Sequence, residues 1–193
     1  MISMDLLKID EIRKNFNKYS MKAFNFLPKV EKGRLLDIGC GTGVPTILIA
    51  THSNFEITAI DIDQELLEIL DNKIKNKGLG NRIKTRDLSL FELDFPEESF
   101  DVIWAEGSLN IIGFKRGLTE WKRFIKKGGF MVIHDDATNI ENKLKIIENM
   151  GYKLIGHFLL PDDAWKLKYC NPLQKRIGKI KDTHKKNPRI LKD

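Results

Sequence analysis

Cysteine is scarce in this chain of 193 residues, which contains only Cys40 and Cys170. The wide separation of these two residues matches neither a CxxC motif nor a metal-binding spacing. No apolar run approaches the roughly 18–20 residues that a membrane-spanning helix needs, and the N-terminal residues mix acids with apolar side chains, unlike a signal peptide. These absences predict a cytoplasmic protein whose thiols stay reduced.

Positive charge is concentrated at the C-terminal end of the chain. Residues 166–193 contain 10 Lys and Arg against 2 Asp and Glu, whereas the 165 residues before them contain 23 and 25. The net charge of +6 therefore belongs to a basic, helix-like tail on a nearly neutral domain. Such a tail is typical of a solvated helix, and it leaves a nucleic-acid contact open as the less favoured alternative.

Strand-like and helix-like segments alternate through the middle of the chain. The predicted strands are Arg34–Ile38, Glu56–Asp61, Arg82–Asp87, Phe100–Ala105, Phe130–His134 and Tyr152–Leu160. The predicted helices are Met4–Phe16, Met21–Leu27, Val44–Thr51, Gln64–Lys77, Lys115–Ile125 and one from a capping box at Thr138–Glu141 to Met150. The alternation predicts a doubly wound α/β fold, with a mostly parallel sheet and helices on both faces.

Three glycines at alternate positions, Gly39, Gly41 and Gly43, follow the first predicted strand. Because glycine loses the most conformational entropy on folding, the cluster predicts that a ligand lies directly against the backbone. A dinucleotide fingerprint needs G-x-G-x-x-G, but Val44 stands at its last position. Asp37, before the glycines, could hold the cationic end of a ligand. The pattern therefore disfavours an NAD-linked oxidoreductase.

Two further aspartates end the next two predicted strands. Asp61 lies 22 residues after Gly39, close to the separation of about 20 at which an acidic residue accepts ribose hydroxyls. Asp87 ends the third strand, where it could bind an adenine amino group. Asp63 is the better candidate to begin the following helix as its N-cap. Ligands of open parallel sheets bind at the carboxyl ends of strands, so these residues predict one nucleoside site.

Together, these residues and the segment FPEESFDVIWAEGSLNIIG resemble the class I S-adenosylmethionine-dependent methyltransferases over roughly Arg34 to Leu160. The segments WAEGSLNIIGFKRGLTEWKRFIKKGGF and LLPDDAWKLKYCNPL further resemble a bacterial and archaeal subgroup that acts on small molecules. The loop after the fourth strand lacks the Asn/Asp-Pro-Pro-Tyr pattern of enzymes that methylate nucleic-acid or glutamine amino groups. The resemblance implies a Rossmann-like methyltransferase fold and S-adenosyl-L-methionine as cofactor.

The resemblance also implies roles for individual residues. Gly39, Cys40 and Gly41 would border the methionine part of the cofactor, Asp61 the ribose, and Asp87 with Leu88 the adenine. Glu106 would border the site of methyl transfer. The cofactor-binding set implied in this way comprises Asp37, Gly39, Cys40, Gly41, Gly43, Asp61, Ile62, Asp87, Leu88 and Glu106.

Candidate catalytic residues follow the fourth and fifth predicted strands. A base is needed only when the attacking atom of the acceptor must lose a proton, and Glu106, His134 and Asp135 are the residues placed to accept it. No metal site is expected, because the adjacent residues 134–136 cannot easily converge on one ion. Trp104 and Trp121 are predicted core aromatics, and His157 a packing residue within the sixth strand.

The resembled fold ends with a seventh, antiparallel strand that the tail does not supply, since its apolar residues are isolated among lysines. We therefore expect six strands, with Tyr152–Leu160 last and a helix over Lys175–Lys185. Residues 1–165 would form the methyltransferase domain, with residues 1–30 as helices that cover the cofactor and substrate. The expected function is methyl transfer to a small organic acceptor by a monomer or homodimer. An RNA or protein acceptor, or cofactor binding with little catalysis, are the alternatives.

Overall fold

The computed structural model describes residues 7–28 and 32–186 of the chain. Two compact units are present: one runs from Ser20 to Phe158, and the other combines Met1–Tyr19 with Leu159–Asp193. The functional boundary predicted at residue 165 stays a prediction.

The unit Ser20–Phe158 contains a five-stranded parallel sheet. The strands are β1 (Arg34–Ile38), β2 (Glu56–Asp61), β3 (Ile83–Asp87), β4 (Phe100–Glu106) and β5 (Ile125–His134). Their spatial order is β3-β2-β1-β4-β5, so the direction of winding reverses between β1 and β4. In such sheets a ligand binds at the carboxyl ends of the strands beside this reversal.

Helices connect all neighbouring strands of the chain except β3 and β4, which are joined by the irregular segment 88–99. The loop that contains Gly39, Gly41 and Gly43, called the glycine loop below, leads directly into the helix Val44–His52. Asp63 begins the helix Gln64–Asn76 as predicted, because its carboxylate accepts a hydrogen bond from the Leu66 amide at 3.2 Å. The helices are α1 (Ile9–Arg13), α2 (Asn17–Phe24), α3 (Val44–His52), α4 (Gln64–Asn76), α5 (Leu109–Ile112), α6 (Phe114–Lys122), α7 (Ile140–Asn149) and α8 (Asn171–Lys186). The predicted α/β class is confirmed.

Two apolar clusters cover the two faces of the sheet. Successive side chains of a strand point to opposite faces, and Leu35 and Leu36 accordingly belong to different clusters. Trp104 lies in the first cluster and Trp121 in the second, and both are buried. Their prediction as core aromatics is confirmed. This packing buries β1 and β4, the two strands whose carboxyl ends lie at the predicted ligand site.

The prediction of Tyr152–Leu160 as a sixth strand is wrong, because this segment has no strand pairing. Side chains anchor its beginning and end instead: the Tyr152 hydroxyl donates to the Leu118 carbonyl at 2.9 Å, and Phe158 contacts the ring of Phe26. Burial raises the pKa of Tyr152 to about 12. His157 is exposed, so its prediction as a packing residue is also wrong.

The connection into β5 differs from the prediction as well. The helix ends at Lys122 and the strand begins at Ile125, five residues before the predicted start at Phe130. The first residues of β5 interrupt its regular pairing with β4, because Phe100 pairs with Ile125 whereas Val102 pairs with Phe130. Gly128, with φ 76°, supplies the left-handed residue that this bulge needs.

The capping box predicted at Thr138–Glu141 does not form. Asn139 is the N-cap of α7, with φ 54° and no side-chain capping bond, while the Thr138 amide donates to the Asp136 carboxylate at 2.8 Å. The Asp136 carboxylate therefore occupies the Thr138 amide, which the capping box would need as a donor, since short polar side chains compete for nearby backbone amides. Gly151 does follow the end of the helix in the left-handed region, as predicted.

The second unit pairs an N-terminal helical segment with the C-terminal helix. The predicted helix Met4–Phe16 is shorter in the structure, with α1 followed by a 3-10 turn at Lys14–Phe16; residues 1–6 lie outside the described range. The prediction Met21–Leu27 corresponds to α2, which begins and ends earlier.

Polar contacts join the two segments of this unit. Arg176 donates to the carbonyls of Leu7 and Lys8 and forms an ion pair with Glu11. The helix predicted over Lys175–Lys185 lies within α8. In the part of the chain that the structure describes, every helix is too short or too polar to cross a membrane.

Candidate functional site

The glycine loop between β1 and α3 is tied to the carboxyl end of β2. The amides of Gly39 and Cys40 both donate to the Ile60 carbonyl at 2.9 Å. The Gly41 amide donates to Asp61 Oδ2 at 2.7 Å. Because β1 and β2 are neighbours in the sheet, these bonds hold the loop against the aspartate that was predicted to bind a ribose.

The three glycines of the loop are required for different reasons. All three have positive φ, at 72°, 53° and 75°, a region that side chains disfavour. A Cβ on Gly39 would lie 2.8 Å from Ser108 Cβ, and one on Gly43 would overlap Leu70 Cδ1. A Cβ on Gly41 would have no heavy atom within 4 Å. Packing therefore explains Gly39 and Gly43, while Gly41 borders open space.

Asp37 and Cys40 are buried beneath the loop. Asp37 Oδ2 accepts a hydrogen bond from the Thr46 hydroxyl at 2.6 Å, which links the end of β1 to the first turn of α3. Burial raises the pKa of the Cys40 thiol, and the charges of Asp37 and Asp61 raise it further. Cys40 is therefore a neutral packing group, and its backbone is the part available to a ligand.

Asp61 connects the loop to the start of α4. In addition to the Gly41 contact, its Oδ1 accepts from the Asp63 amide at 3.0 Å. A carboxylate has about four lone-pair sites, so these two bonds leave acceptor capacity for a diol. Ile62, the next residue, is 71% exposed and offers an apolar surface beside this carboxylate.

Asp87 lies beside Asp61, because the two residues are partners in the β2–β3 ladder. Its Oδ2 accepts from the Gln64 side-chain amide at 2.6 Å. The Leu88 amide donates to the Asp61 carbonyl at 3.0 Å, so the loop after β3 follows the end of β2. The three predicted nucleoside-binding positions are therefore brought together at one edge of the sheet.

The candidate catalytic residues lie at the ends of β4 and β5. Glu106 and His134 are partners in the strand register, and His134 Nδ1 lies 3.8 Å from Glu106 Oε2. Trp104 Nε1 donates to Glu106 Oε1 at 3.0 Å. Asp135 instead forms an ion pair with Lys143 at 2.8 Å, and both side chains are largely buried. Glu106 and His134 are therefore brought together, and Asp135 is held by another partner.

Among the described residues, no group of three or more His, Cys, Asp or Glu side chains is arranged to hold a metal ion. His134, Asp135 and Asp136 are adjacent in sequence, but Lys143 contacts both aspartates, at 2.8 and 3.2 Å. Despite the opposing effect of its desolvation, these carboxylates raise the pKa of Lys143. The cluster is thus an ion-pair group in which a lysine provides the cation.

Comparisons with known proteins agree with this geometry. Residues 35–129 match a family model described as a methyltransferase domain. The ubiquinone/menaquinone biosynthesis C-methyltransferase UbiE of Geotalea daltonii is 32% identical over 130 residues, which cover 66% of this chain and 54% of that protein. Residues 35–129 therefore belong to the class I S-adenosylmethionine-dependent methyltransferases.

Solved structures support the same fold for this methyltransferase-family chain. A proposed S-adenosylmethionine-dependent methyltransferase from Methanococcus maripaludis superposes with a TM-score of 0.60 at 24% identity, covering 94% of this chain and 82% of that one. The [4+2]-cyclase SpnF superposes with a TM-score of 0.70 at 20% identity, covering 84% and 66%. The chain spans about half the length of the curated relatives it matches, such as 54% of UbiE.

The residues present fit S-adenosylmethionine, the cofactor of this family. The open space beside Gly41 admits a ligand against the backbone, and the carboxylate of Asp61 lies 2.7 Å from that same amide. The exposed side chain of Ile62 adds apolar surface next to them. A compact loop whose backbone is held by a carboxylate suits a ligand that carries a ribose rather than an exposed phosphate.

Two packing partners of the loop were missed by the sequence analysis. Ser108 and Leu70 exclude a side chain at Gly39 and Gly43, but they lie 69 and 27 positions away in the chain. Thr46, which donates to Asp37, was also missed. A hydroxyl nine positions after a strand-end aspartate is a usable signal for this contact, whereas the apolar contacts have no sequence signature.

Proposed function

We propose that this chain transfers the methyl group of S-adenosylmethionine to a small organic acceptor. The observation that carries the proposal is the position of Gly41, whose amide is fixed by Asp61 and beside which a side chain would enter open space. When bound, S-adenosylmethionine supplies a methyl group already activated by a positively charged sulfur. The protein then has to align the acceptor and exclude water.

The proposed binding roles follow the order of the strands. The backbone of Gly39, Cys40 and Gly41 would border the methionine part, with Asp37 supporting the loop from below. Asp61 would accept the ribose hydroxyls, and Ile62, Asp87 and Leu88 would border the adenine. Gly43 would act through packing, since its missing side chain makes room for Leu70.

S-adenosylhomocysteine is expected to bind the purified chain and raise its melting temperature, whereas NAD is not. The reason is that the site offers a carboxylate and a close backbone approach for a nucleoside, but Val44 replaces the last glycine of the pyrophosphate fingerprint. Isothermal titration calorimetry and thermal denaturation with each ligand test this. Binding of NAD with no binding of S-adenosylhomocysteine would refute the proposed function.

Replacing Asp61 with alanine is expected to weaken S-adenosylhomocysteine binding at least about tenfold, because hydrogen bonds to a charged group contribute about 1.5–3 kcal/mol each. Stability should also fall, since the Gly41 and Asp63 amides lose their acceptor. Asp63→Ala is the matched control: it removes the N-cap of α4 at a cost of about 1 kcal/mol, without reaching the ligand. If calorimetry gives both variants the wild-type affinity, Asp61 has only a structural role.

An RNA or protein acceptor is the second candidate, and the basic helix α8 is the observation that favours it. Lys175, Lys179 and Lys181 are exposed on this helix. The test is RNA binding at physiological salt, because contacts to phosphates weaken steeply as salt rises. If RNA binding stays tight at physiological salt and is required for activity, an RNA acceptor replaces the small acceptor in the proposal. A cytoplasmic location, supported by the two free cysteines, is part of the proposal, and so is a monomer or homodimer.

A further inference from the structure

The end of β4 carries a carboxylate whose burial needs an explanation. The Glu106 side chain is only 6% exposed, and burying a charge is unfavourable unless it is paired and hydrogen-bonded. Trp104 Nε1 satisfies one of its oxygens at 3.0 Å. Because Trp104 is fully buried, this bond also fixes the orientation of the carboxylate. The other oxygen of this carboxylate is the one nearer to His134.

That other oxygen faces an imidazole. Glu106 Oε2 lies 3.8 Å from Nδ1 of His134, and the two residues are directly paired across the parallel ladder. The backbone supports this arrangement, since the Gly107 amide donates to the His134 carbonyl at 2.9 Å. His134 is more accessible than Glu106, with 21% of its side chain exposed. The buried carboxylate of Glu106 therefore lies next to the imidazole of His134, which is partly exposed to solvent.

We propose that Glu106 positions His134 as the base that accepts a proton from the methyl acceptor. A carboxylate beside Nδ1 favours the tautomer with hydrogen on Nδ1, which gives Nε2 the basic lone pair. This is the logic of a carboxylate that orients a general base and stabilises the imidazolium formed. Asp135 has no part in it, because Lys143 holds it at 2.8 Å.

The assignment names a class of acceptor, and it rests on the proposed function. A base assists methyl transfer only when the attacking atom carries a proton that must leave. We therefore assign the acceptor to compounds whose attacking atom carries an acidic proton, and we take a phenol or an enol as the case to test. Its O–H bond breaks, the proton forms an N–H bond at His134 Nε2, and the electron pair left on the acceptor forms the new bond to the methyl carbon. The pair of the broken carbon–sulfur bond stays with sulfur.

The tautomer of His134 tests the inference without any acceptor. Nitrogen-15 NMR of the histidine rings, assigned with His134→Gln, is recorded at a pH where the imidazole is neutral. We expect hydrogen on Nδ1 in the wild type and a shift toward the Nε2–H form in Glu106→Gln, which keeps an acceptor for Trp104. Asp135→Asn is the control and should leave the tautomer unchanged. Hydrogen on Nε2 in the wild-type protein would overturn the inference.

Activity provides the second readout, with catechol and reduced menadione as hydroxyl probes and N,N-dimethylglycine as an acceptor without a hydroxyl to deprotonate. Formation of S-adenosylhomocysteine from S-adenosylmethionine in the presence of the hydroxyl probes should fall about 10²–10⁴-fold in His134→Ala and recover in part with added imidazole. Transfer to dimethylglycine alone, or full activity of His134→Ala, would contradict the assignment. Binding of S-adenosylhomocysteine should be unchanged in both His134 variants. If the wild-type chain does not bind S-adenosylhomocysteine, the proposed function itself is refuted.

Discussion

Gly41→Val is expected to weaken S-adenosylhomocysteine binding by at least about a hundredfold, which corresponds to about 2.7 kcal/mol. A Cβ at this position meets no protein atom within 4 Å, so a branched side chain would occupy the space proposed for the ligand. Calorimetry on the folded variant measures the effect. Wild-type affinity would show that the cofactor does not lie against Gly41.

Backbone strain has to be separated from occlusion in this experiment, because Gly41 has φ 53° and any side chain there adopts an unfavourable conformation. Gly78→Val is the matched control. Gly78 has φ 64° and also faces open space, but it follows α4 at the opposite end from the loop. The two variants should lose similar stability, and only Gly41→Val should lose affinity. Equal losses of affinity would attribute the effect to strain.

Gly43→Ala is expected to destabilise the fold by about 2–5 kcal/mol while the folded fraction keeps its affinity for S-adenosylhomocysteine. The added Cβ would overlap Leu70 Cδ1, and Leu70 is fully buried. Overpacking a core typically costs about 1–3 kcal/mol, and a left-handed alanine adds about 1–2. Urea denaturation measures the loss in the free energy of unfolding.

The double variant Gly43→Ala, Leu70→Ala identifies packing as the cause. Leu70→Ala alone should cost about 2–5 kcal/mol because it leaves a cavity. In the double variant the new methyl group gains room, so the combined loss should be smaller than the sum by about 1 kcal/mol or more. Strictly additive losses would mean that the two residues do not compete for the same space.

The parallel alignment of the strands, and the edge of the sheet at which the polar residues after them meet, could be predicted from the sequence. Alternating apolar segments determine a β-α-β path, and polar residues after the strands must then meet at the carboxyl edge. Both predictions succeed because each depends on local pattern and on a general rule of chain geometry. The pairing of Asp61 with Asp87 and of Glu106 with His134 was not predicted and comes from the strand register of the structure.

Predictions that depended on a particular neighbour were less successful. Tyr152–Leu160 has a strand-like composition, but a strand exists only where another strand accepts its hydrogen bonds. The three glycines look equivalent in sequence, yet Ser108, Leu70 and open space distinguish them. Which neighbour each residue meets is decided by tertiary packing, and this information is spread over distant parts of the chain.

The different anchoring of the strands has a consequence for how the two halves of the site respond to ligands. The strand that leads into the glycine loop, β1, is hydrogen-bonded on both sides, whereas β5 is bonded only to β4 within the described residues. Local opening requires less free energy at a sheet margin than at its centre. In the proposed site we therefore expect the half that carries the glycine loop to open less readily than the half that carries His134.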